Sequence, residues 1–247
     1  MERPDRAAVA TFHAPGDWGA VVELAEAAAH HVQVKRLVEG DVVRITSGNG
    51  RRAIGTLSSL TKRRAAVHVD AGTLEAVAPL PSITMLAPIG DRDRMLLLAE
   101  KAVELGITAW QPVLYQRSRS VSPRGEGAPF HAKVRLRMIS ALEQSGGAWL
   151  PALCPDRSPS DALVQVGANC GVVLEQSGAS LARVCASLGA PCAVAIGPEG
   201  GFAPGELDEF IAAGWRVASL GDNVLRFETA GIAALAVLRA HLAEAPA

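Results

Sequence analysis

Two glycine-bearing stretches near the C-terminal end carry the densest chemistry of this chain. The first is Ile196-Gly197-Pro198-Glu199-Gly200-Gly201-Phe202, and the second runs from Leu220 through Gly221, Asn223, Leu225, Arg226, Glu228 and Thr229 to Ala230. Glycines at 197, 200 and 201 permit unusual backbone angles and let a ligand approach the main chain closely. A phosphate cradle is the obvious candidate, but the stretch has no lysine, and neither GxGxxG nor GxxxxGK[ST] is matched. Glu199 would repel a phosphate. A glycine loop bearing a carboxylate suits a neutral or cationic ligand, and S-adenosylmethionine, with no phosphate and a positive sulfonium, fits. Taken without its context, the loop can also be read as a plain turn.

The second stretch offers more than a turn requires. Glu228 and Thr229 can be first-turn helix residues, where an acid complements the helix dipole for about 0.3–1 kcal/mol. Arg226 is different, because a guanidinium at a helix entry beside a glycine loop can grip a phosphate or a developing anion with two parallel hydrogen bonds. His31, Trp110 and Trp149 read as packing residues.

Each stretch begins where an apolar segment ends and leads into a helix-like one. From residue 83 the chain alternates in that way. Strands are expected at 83–89, 107–114, 172–174, 192–196 and 217–220. Helices are expected from Met95 to a C-cap at Gly106, from Val134 to Gly146-Gly147, and over 179–188, 204–213 and 227–243. Such alternation implies a parallel sheet covered on both faces, with ligands held off the carboxyl ends of its strands. Before residue 79 the pattern is different. Short β-rich runs at 42–46, 52–57 and 65–70, with a Ser47-Gly48-Asn49-Gly50 hairpin turn, suggest a small β-barrel, interrupted by a helix over Val21–His31. Pro79-Leu80-Pro81 is the expected linker.

With 247 residues, 49% of them hydrophobic, the chain can bury a large core, and with 4% aromatic residues that core must be mostly aliphatic. No run of apolar residues is long enough for a membrane span, and the N-terminus lacks the apolar region of a signal peptide. Cys154, Cys170, Cys185 and Cys192 show no CxxC spacing, so no metal site is expected, and free thiols fit a cytoplasmic location. The net charge of −1 hides an uneven distribution. Eight Lys/Arg against two acids in residues 31–68 give +6, six against one in 110–140 give +5, and five Arg against eleven acids in 141–247 give −6. Two basic zones beside an acidic region suggest a polyanion held by one part and another ligand by the other, with binding that weakens steeply with salt.

Together these residues resemble a known family. IGPEGGF and the later LG-x₃-LR-x-ETA look like SPOUT-class methyltransferases, specifically the small-subunit ribosomal RNA uridine-N3 methyltransferase family. The resemblance extends through Lys101 to Gly106, Arg117-Ser118, Glu143 to Gly146, and His31 to Arg36 with Gly40-Asp41. It implies an α/β fold: a PUA-like RNA-binding β-barrel over residues 1–78, and a SPOUT domain over 79–247 whose parallel sheet carries a deep trefoil knot. It also implies a homodimer acting on 16S ribosomal RNA of the small subunit, with no membrane or metal involved. Carried over, the S-adenosylmethionine site comprises Leu174, Glu175, Gly197, Pro198, Glu199, Gly200, Gly201, Leu220, Gly221, Asn223, Leu225 and Ala230. RNA contacts fall to Lys35, Arg36, Arg51, Arg52, Arg117 and Arg119. The chain departs from the family in two places. Gly147-Ala148-Trp149 stands where an arginine usually follows the EQSG run, and Asp91-Arg92-Asp93-Arg94 stands where a lysine usually precedes the KAVELG helix.

Methylation at N3 uses the pairing edge of the base, so the uridine must be unpaired and splayed out. N3 must lose its proton, leaving negative charge on the flanking carbonyls. Arg226 is expected to stabilise that charge or the neighbouring phosphate, and Glu199 or Glu228 is expected to accept the proton. Alternatives are another SPOUT enzyme acting on a ribose hydroxyl or on transfer RNA, and a non-catalytic RNA-binding assembly factor.

Overall fold

A computed structural model describes residues 8–61, 63–120, 122–167 and 171–244. The chain separates into two compact units, residues 1–79 with 139–150, and residues 80–138 with 151–247. A boundary at residue 78/79 therefore leaves out one feature: the last turns of a long helix and the segment after it group with the first unit.

The first unit is built on β1 (Thr11–His13), β2 (Val21–Leu24), α1 (Glu26–Val34), β3 (Val42–Thr46), β4 (Arg51–Leu60), β5 (Ala65–Val69) and β6 (Glu75–Ala76). Its sheet runs β1-β3-β4-β5-β2, with β6 on β4, and only the β1–β3 pair is parallel. Alternation decides the faces: Val22 and Leu24 of β2, and Ala53 and Leu57 of β4, point into one core with Phe12, Ile45 and Val67. Gly55 has a packing reason, since a Cβ there would lie 2.4 Å from Val67 Cγ1 and 2.7 Å from the His68 carbonyl. The expected helix over Val21–His31 is corrected. Residues 21–24 instead pair antiparallel with Ala65–His68, and the helix begins at Glu26. Helix periodicity held only where no strand partner competed.

The second unit continues with β7 (Ile83–Pro88), α2 (Arg92–Glu104), β8 (Ala109–Val113), α3 (Ala128–Ser145), β9 (Ala152–Leu153) and α4 (Pro159–Val166). It closes with β10 (Gly171–Ser180), α5 (Leu181–Cys185), β11 (Cys192–Ile196), α6 (Glu206–Ala212), β12 (Arg216–Ser219) and α7 (Phe227–Glu244). The sheet order is β12-β10-β11-β7-β8-β9 and every pair is parallel. β11 is buried along its whole length, as a strand covered on both faces must be. On one side α2 and α7 pack closely, and Gly231 leaves room for Leu98 and Ile196, both of whose methyls would lie 2.7 Å from a Cβ there. On the other side Leu86, Val113, Leu163, Val173, Phe210 and Trp215 share a cluster.

Two expectations change here. The segment 179–188 is not one helix: β10 extends to Ser180 and leaves only Leu181–Cys185 helical. α4 was not expected; Ser158 starts it by accepting the Asp161 N–H, with Pro159 in the first turn.

Candidate active site

The carboxyl ends of β10, β11 and β12 and the entries of α2 and α7 surround a cleft of about 490 Å³ in the second unit. Each wall has a structural cause. β11 ends at Ile196, and Gly197 follows with the Phe202 ring 3.1 Å from where its Cβ would stand. Gly201 takes φ +70°, which turns the loop towards α6. β10 bulges, because Leu174 and Ala179 both pair with Ala218, so residues 175–178 are thrown outward. Gly178 permits this, since a Cβ would meet the Ala218 nitrogen at 2.6 Å. The bulge is tied to the third loop where the Gln176 side-chain amide donates to the Asp222 carbonyl at 2.6 Å. That loop turns through Gly221 at φ +131°, with Ser219 Oγ accepting the Gly221 N–H.

Of the residues singled out by sequence, Leu174, Glu175, Gly197, Pro198, Glu199, Gly201, Leu220, Gly221, Asn223, Leu225, Arg226 and Ala230 line this cleft. Gly200 and Glu228 do not. The Gly200 carbonyl turns to Arg117, whose Nη1 donates to it at 2.6 Å, and Glu228 is buried at 6% exposure. Sequence reasoning passed over Arg94, Gln176, Phe202, Ser219 and Val224, which also line it. Arg94 carried a usable signal. Asp91 caps α2 by accepting the Asp93 and Arg94 N–H groups, and this places Arg94 in the first turn after a strand's carboxyl end.

Arg94 organises the charge of the site. Its guanidinium lies 3.5 Å from Glu199 Oε1 and 3.9 Å from Glu228 Oε1, so one cation serves both carboxylates. Gly90 makes room for Glu199, whose Oε2 would be 3.1 Å from a Cβ there. Glu228 Oε2 is buried without a hydrogen-bond partner. Arg226 is exposed immediately before α7 and forms no ion pair among the described residues. The cleft thus presents Glu175 and Glu199 as acids, Arg226 as an available cation, and no lysine. Such a lining offers carboxylates to a cationic ligand and a guanidinium to a developing anion.

Behind the cleft, Phe202 packs edge-on against Tyr115 at 5.3 Å, and Phe210 against Trp215 at 5.1 Å. Tyr115 is fully buried with no partner for its hydroxyl, and burial, aided by the charge of Glu206, pushes its pKa far above the usual tyrosine range. Glu206 accepts the N–H groups of Gln116 and Ala203 and so joins the two loops. Among the described residues, no three His, Cys, Asp or Glu side chains gather as a metal site would require.

The expected RNA contacts divide. Lys35 and Arg36 are exposed at the end of α1, and Arg36 holds φ +56°. Arg51 is engaged by the Gly16 carbonyl, by Asp17 and by the face of Trp18 at 5.4 Å. Arg52 is engaged by both Glu75 oxygens and the Gly146 carbonyl. The side chain of Arg119, like Lys62 and Cys170, lies outside the described residues.

A PUA-like β unit joined to a parallel α/β unit with a glycine-lined cleft is the architecture of an RNA methyltransferase. Residues 78–239 match the family of RNA methyltransferase domains, and residues 24–70 match the RNA methyltransferase PUA domain. This chain belongs to that family. It is 30% identical over 237 residues to ribosomal RNA small subunit methyltransferase E of Synechocystis sp., covering 90% of this chain and 74% of that protein. The crystal structure of ribosomal RNA small subunit methyltransferase E from Neisseria gonorrhoeae bound to S-adenosyl methionine superposes with TM-score 0.79 at 28% identity, covering 94% of this chain and 98% of that one. A chain from Legionella pneumophila solved with the cofactor SAM gives TM-score 0.82 at 26% identity, covering 93% and 96%. The expected fold, a PUA-like domain followed by a SPOUT-type parallel sheet, agrees with these neighbours.

Proposed function

We propose that this chain is an S-adenosylmethionine-dependent methyltransferase that modifies N3 of a specific uridine in 16S ribosomal RNA of the small subunit. The observation that carries this reading is the cleft, a glycine-lined and lysine-free hollow that presents carboxylates and one available arginine. The names of the relatives support the same reading. S-adenosylmethionine, when bound, supplies a methyl group on a positively charged sulfur. Leu174, Glu175, Gly197, Pro198, Gly201, Leu220, Gly221, Asn223, Leu225 and Ala230 would hold it, with Gly200 shaping the loop from behind.

The chain's own residues then have distinct tasks. Arg226 steadies the negative charge that spreads over the base carbonyls as N3 loses its proton. Glu199, which faces the cleft, is the acceptor we favour over Glu228, which is buried behind it. Arg94 holds both carboxylates in place. Lys35, Arg36, Arg51, Arg52, Arg117 and Arg119 offer charge to RNA phosphates, Arg51 and Arg52 while also holding contacts within the first unit. Holding the reactants in line contributes the remainder of the acceleration.

The trefoil knot, a homodimer and a cytoplasmic location belong to this reading. The adjacency of β10, β11 and β12 supports the knot. The thiols of Cys154 and Cys185, which form no disulfide, support a reducing compartment. Calorimetry with S-adenosylmethionine tests the reading: saturable binding is expected, weakened by Gly201→Val. Absence of binding would favour a non-catalytic RNA-binding role.

A further inference from the structure

Trp149 is the one Trp, Tyr or Phe among the described residues that is markedly exposed, at 41%, whereas Trp110 and Trp215 are buried at 0% and 3%. Its exposure is not looseness. The backbone of 148–150 is stitched to the β3–β4 turn: Gly50 N donates to Ala148 O and Leu150 N to Gly48 O, both at 2.9 Å, and Asn49 bridges Trp149. The indole N–H donates to the Val77 carbonyl at 2.9 Å. One ring edge lies against Gly50, where a Cβ would come within 2.4 Å of Cζ2. The ring is therefore fixed, its only polar group is satisfied, and what remains to present is π surface. Two arginines reach Gly146, three residues before it in the same segment. Arg52 Nη1 donates to the Gly146 carbonyl at 2.9 Å, and Arg44 Nη1 would lie 3.2 Å from a Cβ at that same glycine. Asn49 is exposed at the turn.

We infer that Trp149 is a stacking platform for an unpaired nucleobase, with the exposed Asn49 beside it and Arg44, at Gly146 of the same segment, for the adjoining backbone. A rigid exposed ring on a segment that guanidinium groups also reach is a combination that suits single-stranded nucleic acid, because every base has a π face and every linkage a charge. The inference rests on the RNA methyltransferase reading but concerns a place apart from the cleft residues, all of which belong to the other unit.

The test uses single-stranded oligouridine and the full chain. Tryptophan emission should be quenched on binding, and Trp149→Phe should keep the affinity while losing that part of the quench. Trp149→Ala should bind about tenfold or more weakly. Trp18→Phe, which alters the other partly exposed indole, should leave the quench in place. Two results overturn the platform: unchanged affinity in Trp149→Ala, or a quench that survives Trp149→Phe. A changed association state in Trp149→Ala with RNA binding intact also overturns it, by assigning the ring to a protein interface. Failure of the unaltered chain to bind any RNA would instead overturn the RNA methyltransferase reading itself.

Discussion

Arg226 and Arg94 are both guanidiniums at the cleft, yet their surroundings give them different work. Arg94 is shared between two carboxylates, so its charge is already matched, whereas Arg226 is exposed and has no acid partner among the described residues. Only Arg226 is available to meet charge that develops during reaction. Arg226→Ala should slow single-turnover methyl transfer by about a hundredfold to a thousandfold, as loss of an anion-stabilising donor does. Its S-adenosylmethionine affinity, followed by calorimetry, should stay within a few-fold of the unaltered chain. Tyr115 allows a separate test, since it is the only tyrosine in the chain. Its buried hydroxyl lacks a partner, so Tyr115→Phe should raise stability at neutral pH by about 1 kcal/mol in denaturant titrations. Burial raises its folded pKa above the unfolded value of about 10. Below that pH both states keep the proton. Above it only the unfolded chain releases it, so stability falls as pH rises, and the phenylalanine variant should lack this alkaline component.

The walls of the cleft depend on how the strands end. Gly178 is the critical point of β10, because a Cβ there would sit 2.6 Å from the Ala218 nitrogen and 2.7 Å from its Cα. Gly178→Ala should cost about 1–3 kcal/mol by overpacking, and should weaken S-adenosylmethionine binding through displacement of the 175–178 bulge. Calorimetry and chemical unfolding read the two effects separately. The same element shows where sequence reading stops. Gly197 to Gly201 and Leu220 to Ala230 were legible because glycine and proline mark the ends of apolar strands. Residues 175–180 carry no β pattern, and β12 pairing resumes only at Ala179 after the 175–178 bulge, so the strand was expected to end at 174. Residues 21–24 were misread for a related reason: an alanine-rich run after them suggested a helix, and pairing with β5 prevailed. Arg94 was missed because a first-turn side chain reaches the cleft only through the geometry of its helix entry.

At the scale of the whole chain, a β unit with exposed Lys35, Arg36 and Trp149 accompanies an α/β unit that holds the cleft. Of the two basic zones in the sequence, 31–68 falls in the β unit and 110–140 mostly in the α/β unit, so charge does not divide along the unit boundary. Charge counting alone does not tell which arginines also hold contacts within a unit, as Arg51 and Arg52 do. The central claim is the site of methylation, and it can be read directly. Small ribosomal subunits from cells lacking the modification are incubated with the chain and methyl-labelled S-adenosylmethionine, and the digested RNA is resolved by mass analysis of its nucleosides. The label is predicted to appear in 3-methyluridine; label in 2′-O-methylated nucleosides, or none in RNA, would contradict the account.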